Sequence, residues 1–120
     1  MIIETYHADM PHLLELIKKP KFLSRFYSSQ EMKFLMKKNF SPYVAAEMYC
    51  AKMAFRKVMG ANFTGCDYRE VSVLADYTGG YYISLSGEAK HRFTPMKLRA
   101  SVSCSHSKTT ALSTVLFYEN

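Results

Sequence analysis

Residues 41–60 read SPYVAAEMYCAKMAFRKVMG, and the rest of the chain is organised around this stretch. Ser41 supplies an N-cap hydroxyl that accepts a free first-turn N–H. Pro42 takes the first helical position, where its missing donor costs nothing. Gly60 follows the last turn and tolerates the left-handed conformation that ends helices. Between these caps, Val44, Met48, Ala51, Phe55 and Val58 recur with a helical period, which predicts a core-facing stripe. A second stripe, Tyr49, Lys52, Met53, Arg56 and Lys57, is read down another side of the helix. It is basic, and a core does not account for it.

The chain has 120 residues, so one domain over residues 1–120 is the default. With 48% hydrophobic and 14% aromatic residues, it carries enough apolar material for a core, which argues against disorder. The formal net charge of +6 favours acidic partners: nucleic acid, anionic lipid, a phosphorylated ligand or an acidic protein. Cys50, Cys66 and Cys104 have no metal spacing, and an odd count gives no disulfide framework. Cys50 and Cys104 are read as small buried apolar residues rather than nucleophiles. No signal-peptide pattern opens the sequence and no stretch is apolar enough to span a bilayer, so a cytoplasmic protein is expected.

Met1–Tyr6 reads as a short strand. Asp9 predicts a cap for a helix over Met10–Lys19, which Pro20 ends. Lys18, Lys19, Lys21 and Arg25 cluster near that end; last-turn lysines also suit the helix dipole. Ser28 and Glu31 have capping-box spacing, predicting a helix to about Lys38. Ala61–Arg69 is read as a loop. Glu70–Ala75 and Tyr81–Leu85, joined by Tyr77-Thr78-Gly79-Gly80, read as a hairpin. Gly87–Phe93 predicts a short helix before Pro95. Leu98–Ser105 alternates as a strand, His106-Ser107-Lys108 makes the turn, and Thr109–Tyr118, apolar on both faces, reads as a central strand. The sum is an α+β domain, helices on a mostly antiparallel sheet.

Several segments match a known pattern in order. Phe22-Leu23-Ser24-Arg25-Phe26-Tyr27-Ser28 is followed by Glu31. Ala51-Lys52-Met53-Ala54-Phe55-Arg56-Lys57-Val58-Met59-Gly60 is similar to A-K-E-A-F-x-K-A-x-G. Glu70-Val71-Ser72-Val73 and Thr78-Gly79 suit the hairpin, and Ser101-Val102-Ser103-Cys104-Ser105-His106 suits (H)-V-S-I-(S/T)-H. Over about Lys21 to Glu119 the chain thus resembles the holo-acyl-carrier-protein synthases, the short 4′-phosphopantetheinyl transferases of bacterial fatty-acid biosynthesis. The resemblance implies a phosphopantetheinyl transferase-like fold and transfer of 4′-phosphopantetheine from coenzyme A to a serine of an acyl carrier protein. It also implies magnesium as cofactor and a homotrimer with sites at subunit interfaces. A basic nucleic-acid-binding domain ranks last, because the tyrosines and lysines permit it but no recognition motif is present, so no nucleic-acid partner is expected, and no membrane partner either.

The resemblance assigns Lys57 as the catalytic lysine at the coenzyme A phosphates, a point charge against developing negative charge. Lys52, taken to share its side of the helix, and Ser103 and His106 of the closing motif are the other expected coenzyme A contacts. Lys18, Lys19, Lys21 and Arg25 are the expected contacts to an acidic carrier. The departures fall on the metal site. Met53 stands where the family has a glutamate, and no glycine-rich G-x-D strand precedes it; Glu4 or Thr5, depending on a one-residue shift, falls nearest to that aspartate's place, and Glu4 is the candidate magnesium ligand. Glu47, six residues before Met53, points elsewhere on the helix. Met48, Ser101 and Gly79-Gly80-Tyr81 replace an arginine, a histidine and G-K-P. Two functions therefore stand side by side: a divergent transferase, or a catalytically inactive homologue that binds carrier protein or coenzyme A.

Overall fold

Residues 1–119 are described by the computed structural model. Strand β1 (Ile2–Asp9) leads into helix α1 (Met10–Ile17), where the Asp9 carboxylate accepts the His12 N–H at 3.0 Å. Pro20 does more than end that helix. It opens α2 (Pro20–Phe26), because a proline suits a first helical turn as well as it stops a preceding one. The sequence reading missed this helix. Helix α3 (Ser29–Lys37) begins on the predicted capping box: Ser28 Oγ accepts the Glu31 N–H at 3.1 Å, and Glu31 accepts the Ser28 N–H at 2.9 Å.

Helix α4 (Pro42–Met59) is the long element predicted from its caps, and Gly60 closes it at φ 55°. It is buried around most of its circumference. Ala45, Ala46, Met48, Cys50, Ala51, Ala54 and Phe55 are all inaccessible, so the core side is much wider than one stripe. Beyond it come β2 (Val71–Ala75), β3 (Tyr81–Leu85), α5 (Gly87–Phe93), β4 (Leu98–His106) and β5 (Thr110–Glu119).

The strands form two antiparallel sheets. One has the order β1-β5-β4, with β5 in the centre as its two apolar faces predict; the other is the β2-β3 hairpin. Ala111, Ser113, Val115 and Phe117 of β5 turn their side chains inward to α4 and its neighbours. The other face of this sheet is open, and it exposes Ile3 and Leu112. His106 ends β4, paired with Ala111, rather than belonging to the turn. This is the α+β arrangement that the sequence predicts, with α4 as the central helix.

The cysteines are free. Burial pushes the Cys50 thiol up to about 12 and the Cys104 thiol up to about 11. Thiolates are the reactive species, so both thiols are protected at neutral pH. Native protein is expected to take up iodoacetamide first at Cys66, with Cys50 labelled only on unfolding. Peptide mapping after a short pulse checks the order.

Candidate functional site

Lys57 lies in the last turn of α4, half exposed. Its Nζ donates to the Thr5 carbonyl at 3.0 Å and lies 3.2 Å from Glu4 Oε2. The strand explains the meeting. Glu4, Tyr6 and Ala8 face the helix side of β1, while Ile3, Thr5 and His7 point outward. Met53 precedes Lys57 by one turn on the same helical face, partly buried against the core. Lys57, Glu4 and Met53 are therefore gathered at one end of α4.

Lys52 is elsewhere. Five residues place it about 140° around the helix from Lys57. It is 1% exposed. Its Nζ donates to Glu31 Oε1 at 2.6 Å and to the Phe26 carbonyl, and lies 4.6 Å from the Phe26 ring centre. The expectation that Lys52 lines a ligand site with Lys57 is corrected by this geometry: a buried, paired ammonium has no free face for a phosphate. Glu31 does two jobs. Its Oε1 closes the capping box and its Oε2 accepts the Val73 N–H at 3.0 Å, so α3, α4 and β2 meet on one carboxylate. Burial pushes the Glu31 carboxyl up and the Lys52 ammonium down, and each opposes the other's shift.

Ser103 and His106 are three residues apart on β4 and so point to opposite sides of the sheet. Ser103 is on the open outer face, paired with Thr114, itself paired with Thr5. His106 turns inward to the first turns of α4, where its Nδ1 lies 2.8 Å from Glu47 Oε2 and its ring stacks on Tyr43. Ten residues of helix separate Glu47 from Lys57, a rise of about 15 Å. The predicted contacts thus split between two ends of α4, with Ser103 on neither. Lys18, Lys19, Lys21 and Arg25 are all exposed around the α1–α2 junction. A groove of about 370 Å³ lined by Leu14, Ile17, Lys18, Leu23, Phe40 and Pro42 adjoins them.

No family model matches the chain. A holo-[acyl-carrier-protein] synthase of Treponema denticola is 30% identical over 113 residues, 91% of this chain and 90% of that protein. The chain belongs to the holo-[acyl-carrier-protein] synthase family. A synthase of the same name from Clostridium botulinum (strain Eklund 17B / Type B) is 29% identical over 104 residues, covering 82% of this chain and 85% of that protein. Among solved structures, the synthase of Neisseria meningitidis superposes with a TM-score of 0.87 at 21% identity, over 98% of this chain and 97% of that one. The Helicobacter pylori synthase, solved in complex with coenzyme A, gives 0.79 at 21% identity over 98% and 100%. These structural likenesses show the fold.

Magnesium, implied by the family resemblance, is not suited by the residues at Lys57. The donors there are one carboxylate already paired with an ammonium and, in Met53, a neutral thioether; magnesium takes hard oxygen ligands. Among the described residues no group of three or more His, Cys, Asp or Glu side chains is placed to hold a metal. No helix of the described residues is long and apolar enough to cross a membrane.

Proposed function

We propose that this 120-residue chain is a cytoplasmic phosphopantetheinyl transferase domain of the holo-acyl-carrier-protein synthase type. It moves 4′-phosphopantetheine from coenzyme A to a serine of an acyl carrier protein. The observation that carries this reading is Lys57: the second lysine of the signature, half exposed at the end of a rigid helix, with its ammonium at the surface beside Glu4. In the reaction the serine oxygen bonds to the phosphorus of the pantetheine phosphate. The bridging P–O bond breaks, and adenosine 3′,5′-bisphosphate leaves with the electron pair. Lys57 exchanges Glu4 for a diphosphate oxygen and stabilises the charge that develops there.

Two features support a homotrimer with shared sites. Lys57 and His106 are too far apart on one chain to hold one phosphate group between them, and the outer sheet face is open and partly apolar. A neighbour's His106 end can supply what a Lys57 end lacks. The Ser103 side of the sheet then falls between subunits. The basic α1–α2 junction and its apolar groove suit an acidic carrier helix, with Lys18, Lys19, Lys21 and Arg25 at the rim.

Titration with coenzyme A tests the site. Binding that Lys57→Ala weakens at least about tenfold supports it; binding indifferent to that substitution places the ligand elsewhere. The second reading, an inactive homologue that binds coenzyme A or carrier protein, is favoured by Met53 and by the Glu4–Lys57 pair. Met53→Glu separates the two further. It adds a carboxylate one turn from Lys57 and near Glu4, so coenzyme A binding is expected to become tighter in magnesium than in EDTA, with transfer rising alongside. Calorimetry in both buffers checks this, and equal affinities would show that Glu4 does not complete a metal site.

A further inference from the structure

Helix α4 carries a single carboxylate, Glu47, and the scheme above does not use it. Glu47 is 8% exposed, between the fully buried Ala46 and Met48. A carboxylate in such surroundings persists only when its oxygens are bonded. Oε1 accepts from the Tyr81 hydroxyl at 3.0 Å, and Oε2 takes the Nδ1 edge of His106 at 2.8 Å. The Glu47 carbonyl accepts from the Ser113 hydroxyl at 2.9 Å and faces the Cys104 thiol at 3.9 Å. The helix backbone and the carboxylate are thus both tied to β3, β4 and β5.

The imidazole is held in two dimensions. Tyr43, one turn before Glu47, stacks on it with centroids 5.0 Å apart and planes 20° apart. Glu47 grips one edge. A carboxylate acceptor requires the proton on Nδ1, which leaves the Nε2 lone pair on the opposite edge. The ring's side chain is 39% exposed, whereas Glu47 beneath it is almost closed off. The other ionisable groups around Glu47 are Tyr43 and Cys50 on its own helix, Tyr81 on β3 and Cys104 on β4. Burial, with Glu47 adding to it, holds the Tyr81 phenol and both thiols in their neutral forms, so none brings a competing anion.

We propose that Glu47 is a positioning residue that holds His106 with Nδ1–H inward and Nε2 outward, where Nε2 accepts the proton of the carrier's serine, and that Tyr81 anchors Glu47. The proposal rests on the transferase reading above. The serine O–H breaks as the O–P bond forms, its proton goes to Nε2, and the electron pair of the broken diphosphate bond leaves with the bisphosphate. The arrangement is a carboxylate–imidazole pair with a free basic edge, the geometry that general-base histidines use. It provides a base on a chain whose signature helix has methionine in place of its usual carboxylate.

The test uses the full chain in its native assembly. Long-range ¹H–¹⁵N spectra of wild type are expected to show His106 as the Nδ1–H tautomer. Glu47→Gln should mix the tautomers and Glu47→Asp should restore the bias in part. In transfer assays, Glu47→Gln is expected to lower kcat at least about tenfold and His106→Ala about a hundredfold, with KM for coenzyme A nearly unchanged. The acid limb of the wild-type pH–rate profile should vanish in His106→Ala. A Nε2–H tautomer in wild type, a bias that survives Glu47→Gln, or full turnover without His106 would overturn the proposal. Wild type that binds coenzyme A but transfers nothing removes the transferase reading and the proton-acceptor role with it, and the spectra then report separately whether Glu47 sets the tautomer.

Discussion

Replacing Lys52 with methionine is expected to cost about 3 kcal/mol of folding stability. The side chains are similar in length, so little packing is lost. What changes is Glu31, which stays fully buried and loses its only cation, the ammonium at 2.6 Å, and the Phe26 carbonyl, which loses the same donor. The Ser28 and Val73 N–H groups remain on the carboxylate, which keeps the cost at the lower end of what breaking a buried pair incurs. The loss should depend on pH. Burial raises the Glu31 carboxyl and Lys52 lowers it, so the substitution moves it further up. A carboxyl raised in the folded state contributes stability in acid and loses it as pH rises through the folded value. Urea denaturation should therefore show a smaller deficit at pH 5 than at pH 8. Adding Glu31→Gln should recover part of it, because a neutral amide removes the orphaned charge while its oxygen still accepts from one of the two backbone N–H groups on Glu31. A Lys52→Met variant as stable as wild type at pH 8 would mean that the pair is not buried as described.

Lys57→Ala is expected to have the opposite profile. Its contact to Glu4 is half exposed and screened by solvent, so the change in stability should stay within about 0.5 kcal/mol. Transfer should fall by a factor of about 10² to 10³, the usual penalty for removing one preorganised charge from a transition state. Lys57→Arg should not rescue it fully, since a planar fork does not replace a compact ammonium against the Thr5 carbonyl. The two lysines of one signature are thus expected to divide, Lys52 serving the fold and Lys57 the site. Parallel denaturation and transfer assays on the two variants show the division directly.

The central helix was legible because its caps and its apolar period agree, and the central strand because β5 is apolar on both faces. Helix α2 was not, since Pro20 reads as a stop when a helix precedes it and as a start only when one follows. Lys52 does not belong with Lys57 because the two are five residues apart, a spacing that a helix separates by about 140°. Its neighbours held the signal: Met48, Phe55 and Met59 share its side and are all buried. Glu47 gave a similar signal, a carboxylate between Ala46 and Met48 in an apolar run. Which partners it meets was not readable, because Tyr81 and His106 arrive from strands 34 and 59 residues away. Glu4 beside Lys57 depends likewise on the register of β1 against β5 and on the packing of α4 over both.

The most direct measurement is the intact mass of an apo-acyl carrier protein after incubation with this chain, coenzyme A and magnesium, with Lys57→Ala as the control. Transfer predicts that the carrier gains one phosphopantetheine on its serine, that adenosine 3′,5′-bisphosphate appears in equal amount, and that the control is slowed about a hundredfold or more. A carrier of unchanged mass, in a reaction where coenzyme A demonstrably binds, would contradict the account and leave a binding protein on a transferase fold.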